Sequence, residues 1–131
     1  MKILILLITT VLLLTANAHI TNAQAAERLI ASWYSRASLI KEGTWKDGKE
    51  KRMANGKPFS DFGLTAACRL YPLGSRVMVT NVANGKTVCV TITDRIGKRF
   101  AQTRIDLSQY AFSRIADCKQ GIVPVTINVL D

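Results

Sequence analysis

Residues 76–93 read RVMVTNVANGKTVCVTIT. Two β-branched runs, 76–82 and 86–93, flank Asn84-Gly85, a strong hairpin signal because both residues tolerate positive φ. The second run alternates. Val88, Val90 and Ile92 fall on one face, and Thr87, Cys89, Thr91 and Thr93 on the other. One apolar face of this hairpin is therefore expected in a core. Working outward, 29–35 (LIASWYS) reads as a first strand. The stretch 41–52 (KEGTWKDGKEKR) is polar, basic and glycine-containing, and reads as an exposed loop. Asn55-Gly56 then marks a turn. Downstream, Asp106-Leu107-Ser108 reads as the opening of a short helix over 109–116, with Asp106 or Ser108 accepting from the free N–H groups of the first turn. Residues 122–130 (IVPVTINVL) form a closing strand, with Val123, Val125, Ile127 and Val129 on one face. Pro124 has the opposite parity and belongs at an edge or bulge, since it has no N–H for a ladder. Five or six short strands, one helix and glycine-bearing turns describe a mainly β chain, a small β-barrel.

The chain has 131 residues, 48% hydrophobic and 21% charged. That length suits one domain, and that composition excludes wholesale disorder. Residues 1–25 have the three-part layout of a secretory signal peptide: Lys2, an apolar run over 3–14, and small-x-small sites ending at Ala18 and Ala25. The apolar run is about a dozen residues against the roughly 20 needed to span a bilayer, so no stable membrane anchor is expected. Cleavage after Ala25, with Ala18 as the alternative, leaves a domain over 26–131 in the periplasm or outside the cell. That cut removes Lys2, leaving 17 basic against 9 acidic side chains, a net charge of +8. An anionic cell-wall polymer or membrane surface suits this charge, and export argues against nucleic acid.

The cut also removes His19, the only histidine. Ser-His-Asp triads, Cys-His pairs and histidine-zinc sites are thereby excluded from the mature chain. No metal and no cofactor are expected. Cys68, Cys89 and Cys118 contain no Cys-x-x-Cys, and in an oxidising compartment three cysteines allow at most one internal disulfide. Any of the three pairings is open.

Nine short motifs occur in a familiar order. They are Ala31-Ser32-Trp33-Tyr34, Met53-Ala54-Asn55-Gly56, Leu64-Thr65-Ala66-Ala67, Tyr71-Pro72-Leu73-Gly74, Val79-Thr80-Asn81, Asn84-Gly85-Lys86, Thr93-Asp94-Arg95, Ile105-Asp106-Leu107-Ser108 and Gly121-Ile122-Val123-Pro124-Val125. In this order the chain resembles the rare lipoprotein A (RlpA) family over essentially its whole length beyond the leader. The resemblance implies a single six-stranded double-psi β-barrel with one or two short helices, a fold shared with expansins. It implies a lytic transglycosylase acting on peptidoglycan glycan strands stripped of stem peptides. A monomer is expected. Two family-site positions are substituted. Lys57 stands where the family has Glu, and Cys68 where it has His. The Asp that follows the Glu in the family falls on Ser60, with Asp61 adjacent.

A lytic transglycosylase protonates the glycosidic oxygen and takes the proton of the muramic C6 hydroxyl as that oxygen closes onto C1. One carboxyl serves as acid and then base, unlike the two carboxyls of ordinary glycoside hydrolysis. Asp94, at a strand end before a glycine-containing loop, is the candidate catalyst. Asp106 and Asp61 are candidate second carboxyls, with a helix cap and a turn as their competing structural readings. Tyr34 and Trp45 are candidate sugar platforms, Trp45 because it sits in the polar loop. Arg95 and Arg99, with Lys98 and Arg104, form a basic cluster suited to an anionic glycan. Lys57 suits a glycan carboxylate better than proton transfer near neutral pH. The alternative to an enzyme is a non-catalytic, expansin-like glycan-binding or wall-loosening module.

Overall fold

The computed structural model describes residues 26–45 and 51–130. The leader over 1–25 therefore lies outside the described residues. Six strands and two short helices follow in the order β1 (Glu27–Tyr34), α1 (Arg36–Lys41), β2 (Thr65–Ala67), β3 (Arg76–Asn81), β4 (Thr87–Asp94), β5 (Arg104–Ser108), α2 (Gln109–Ser113) and β6 (Val123–Leu130). The strands close into a barrel in the order β1-β5-β2-β4-β3-β6. Two contacts are parallel, β1 with β5 and β2 with β4, and the others antiparallel. The chain is thus the mainly β, six-stranded barrel that the family resemblance implies. Among the described residues, no helix is long and apolar enough to cross a membrane.

The alternation of β4 is realised: Val88, Val90 and Ile92 are buried, together with Val77 and Val79 from β3. Val123, Val125 and Ile127 of β6 complete that wall, while Val129 emerges at the barrel mouth. Phe112 and Ile115 plug the interior. Each such side chain contributes about 1.5–3 kcal/mol relative to exposure. Pro124 sits at neither an edge nor a bulge: it lies inside β6, in register with Ile30 of β1. Its carbonyl accepts from Val82 N–H at 3.2 Å, one residue past the end of β3, so the missing donor falls where that ladder stops.

The structure corrects three local expectations. Asp106 lies inside strand β5 and caps no helix, because both edges of that strand are paired, to β1 and to β2; Ser108 ends the strand and opens the helix from Gln109, as the sequence predicts. Ser108 alone caps α2, its Oγ accepting from Ala111 N–H at 3.1 Å, and the helix is shorter than 109–116. Asn84-Gly85 does not form a two-residue turn. Gly85 takes φ +72°, but no described non-glycine residue has positive φ. The Asn81 and Asn84 amides instead both donate to the Ile115 carbonyl (2.8 and 2.9 Å), which pulls a longer loop onto the end of α2. Finally, α1 has no counterpart in the sequence reading. It is held by a Ser35/Ser38 capping box, a serine pair in place of the usual Ser/Thr with Glu or Gln.

Candidate functional site

The site is built around Ala67. This residue pairs with Asp94 of β4 on one side and with Asp106 of β5 on the other. The β2–β4 register shifts between Ala66 and Ala67, which takes Asp94 off the core face of Ile92, and the two carboxyls line one cleft on either side of Ala67. Two strand spacings put their backbones about 10 Å apart. Both line a cleft of about 390 Å³, with α1 as one wall and the segment after β4 as another.

Asp94 is held by donors. Oδ1 accepts from the N–H groups of Ala54 and Arg95, each at 2.9 Å, and Oδ2 from the Tyr34 hydroxyl at 3.4 Å. The Ala54 contact lays the 53–56 turn across the end of β4, where Asn55 N–H also donates to the Thr93 carbonyl. Asp106 is in a different environment. One oxygen accepts from the Ser32 hydroxyl at 3.1 Å, across the β1–β5 pair. Burial pushes its carboxyl up to about 6, and Ser32 and Arg104 only partly offset that. The charges of Glu42 and Asp94 push in the same direction as burial. The cleft thus contains a carboxyl that holds its proton into the weakly acidic range beside another that works as an acceptor. Such unlike environments divide acid and electrostatic roles between two carboxyls.

Several candidates from the sequence lie elsewhere. Trp45 is buried, 9% exposed, edge-on to Phe59 with centroids 6.4 Å apart. It is a core residue and not a sugar platform, because α1 folds the start of the polar loop back onto Leu39 and Met53. Tyr34 is buried too, stacked on Phe59 at 4.5 Å, so only its hydroxyl end serves the cleft. Burial first, then Asp94 and Asp106, push that phenol upward. Asp61 is outside the cleft. Its Oδ1 accepts from Arg36 N–H at 2.6 Å, at the first turn of α1. Lys57 is exposed on the 53–57 turn and does not line the cleft. Cys68 has the opposite parity to Ala67 and points into the barrel core, 0% exposed, where burial pushes its thiol up. Its backbone N–H donates to the Asp94 carbonyl. All three cysteines are free thiols.

Arg95 reaches the cleft but is committed, donating to the Cys68 and Tyr71 carbonyls. Arg99 is exposed beside Phe100, outside the cleft lining. Trp33 is half-buried and donates to the Cys118 carbonyl. The sequence reading missed Ser32, Glu42 and Lys51, and singled out Arg104 only as part of a cluster, although all four line the cleft. The Arg104/Asp106 spacing of two residues was the available signal, and it becomes meaningful only once 104–108 is a strand. Among the described residues, no group of three His, Cys, Asp or Glu side chains could hold a metal.

Comparison with known proteins bears on this site. The model of a family described as lytic transglycolase matches residues 26–127. A "probable endolytic peptidoglycan transglycosylase RlpA" of Synechocystis sp. is 40% identical over 101 residues, which is 77% of this chain and 28% of that protein. The "endolytic peptidoglycan transglycosylase RlpA" of Pseudomonas aeruginosa is 36% identical over 112 residues, 84% of this chain and 30% of that protein. An uncharacterised protein of Synechocystis sp. is 44% identical over 80 residues, 61% of this chain and 83% of its own length. The chain therefore spans under a third of those two transglycosylases and most of the shorter relative. Among solved structures, a Streptomyces papain inhibitor superposes with TM-score 0.58 at 22% identity, covering 80% of this chain and 96% of that one. A Clavibacter michiganensis expansin superposes with TM-score 0.58 at 21% identity, covering 81% of this chain and 50% of that one. These likenesses establish the fold.

Proposed function

The chain belongs to the lytic transglycolase family of double-psi barrels, and from that premise we propose that it cleaves peptidoglycan glycan strands to 1,6-anhydromuramic ends. The observation that carries this reading is Asp106, a buried carboxyl raised to about 6 that faces Asp94 across Ala67. Protonated Asp106 gives its proton to the glycosidic oxygen as the bond to muramic C1 breaks. The resulting carboxylate takes the proton of the C6 hydroxyl as O6 bonds to C1, so no water is consumed. Asp94 faces the sugar ring as positive charge develops on it, an electrostatic role that needs fixed geometry and not proton transfer. Three donors hold it in place. This arrangement moves the acid role from Asp94, the candidate of the sequence reading, to Asp106. The relatives named as RlpA transglycosylases support the reaction class.

The second reading is a non-catalytic glycan-binding module. Lys57 and Cys68, at positions where the resemblance implies Glu and His, lie outside the cleft and favour it. Incubation of peptide-free strands with the protein, followed by mass spectrometry, separates the two. Anhydromuramic ends that vanish in Asp106→Asn support the enzyme. Strand binding with no anhydro product at high protein concentration leaves the module. Residues 1–25 are proposed to direct export to the periplasm or beyond, and N-terminal sequencing of the exported protein tests that.

A further inference from the structure

We propose that the outer face of the β1–β6–β3 wall, centred on Pro124, docks the protein reversibly on an anionic lipid bilayer. This surface is separate from the cleft and does not depend on the glycan reading. Pro124 is in register with Ile30 of β1 on one side, and its carbonyl accepts from Val82 N–H at 3.2 Å on the other. The strand neighbours of these three residues, Leu29, Ala31, Asn81, Val123 and Val125, are all buried. Ile30, Pro124 and Val82 therefore project outward as one aliphatic row across three strands. Ile122, two residues before Pro124, has the same parity. Val82 is 57% exposed and Ile122 52%. The row borders a groove of about 350 Å³ whose lining also includes Arg28, Gln102 and Thr103. A contiguous exposed apolar row of this kind marks an interaction surface, unlike single scattered residues.

Charge selects the occupant. Arg28, in register with Thr126, is the next outward position along β1 from Ile30. Lys86 stands beside Val82 across the β3–β4 loop, its carbonyl accepting from Asn81 N–H at 2.9 Å. Lys119 lies three residues before Ile122, and both lysines are exposed. No Asp or Glu projects from this wall among the described residues. Glu27 has the opposite parity and lines a different cavity, and Asp117 is turned onto the Lys119 N–H at 2.9 Å. Anionic headgroups meet these cations while the aliphatic side chains enter the acyl boundary. A second copy would set cation against cation, on a chain of net charge +9. The row also has no Trp or Tyr, the usual anchors of a protein interface. The wall shares only β1 with the cleft, and neither Val82 nor Ile122 lines that cleft.

The test sediments the exported protein with vesicles of phosphatidylcholine alone, or of phosphatidylcholine and phosphatidylglycerol in equal parts. The anionic vesicles should bind at least about tenfold more tightly. Val82→Ser combined with Ile122→Ser should weaken that binding at least about tenfold, and Arg28→Gln about fivefold. A second measurement reads orientation directly and does not depend on the serine variant folding. Brominated lipids in the anionic vesicles should quench the added indole of Val82→Trp. They should spare that of Phe62→Trp, since Phe62 is 80% exposed on the loop before β2, and β2 lies across the barrel from β6. Equal binding to both kinds of vesicle, serine substitutions without effect, or quenching in Phe62→Trp and not in Val82→Trp would overturn the proposal. Failure of the unsubstituted protein to bind any vesicle would overturn it too, and would leave this face to an acidic protein partner.

Discussion

The Asp106→Asn substitution should raise stability at neutral pH while removing the chemistry. Burial moves the Asp106 carboxyl from 3.8 to about 6 in the folded chain. Between those values the native protein keeps a proton that the unfolded chain releases. The unfolded state then binds fewer protons, so stability falls as pH rises through this window. A tenfold difference in proton affinity between the two states is worth about 1.4 kcal/mol, so the ionised carboxyl costs the fold about 2–3 kcal/mol above pH 6. Asparagine has no such titration, and its Oδ1 can still accept from Ser32. Urea unfolding of both proteins at pH 4, 5, 6 and 7 measures the difference. It should grow from near zero at pH 4 to about 2–3 kcal/mol at pH 7, with the dependence on urea concentration unchanged. The same variant should lose about 10²–10⁴-fold in strand cleavage. Parallel stability profiles for the two proteins across this range would refute the reasoning, because they would mean that Asp106 titrates alike folded and unfolded.

For the unsubstituted protein, kcat/KM should fall about tenfold per pH unit above about 6, since the acid must enter the reaction protonated. Glu42→Gln should shift that limb to lower pH, because the Glu42 charge helps to raise Asp106; a pH-rate profile reads it directly. Trp45→Ala should destabilise the chain by about 3–5 kcal/mol in a melt or urea titration, and selective loss of glycan binding without loss of stability would contradict its place in the core. A thiol reagent should modify Cys89 quickly and Cys68 only on unfolding, with mass spectrometry of the labelled peptides as the readout.

Much of the barrel is legible along the chain because it depends on local pattern. The β4 alternation and the β6 apolar face both follow from a two-residue period. The parts that misled are those where a local signal met a stronger distant one. Asp106 and Ser108 both have the chemistry of a helix cap, yet two neighbouring strands hold Asp106 inside β5 and only Ser108 reaches α2. Asn84-Gly85 has the composition of a tight turn, yet two asparagine amides are drawn to the Ile115 carbonyl. Trp45 lies in a polar run, yet the helix before it turns the ring under Phe59.

The sequence by itself settled the mainly β class, the absence of histidine chemistry beyond residue 19, and the presence of Asp94 and Asp106 at motif positions. It could not say which carboxyl burial raises. That depends on how far each is removed from water and on which donors meet it, and these follow from contacts between residues far apart in the chain. Ala54 comes to Asp94 from 40 residues away, and Ser32 to Asp106 from 74. Closure of the barrel brings β4 and β5 to either side of Ala67, and only that closure places a buried, raised carboxyl and a hydrogen-bonded one in a single cleft.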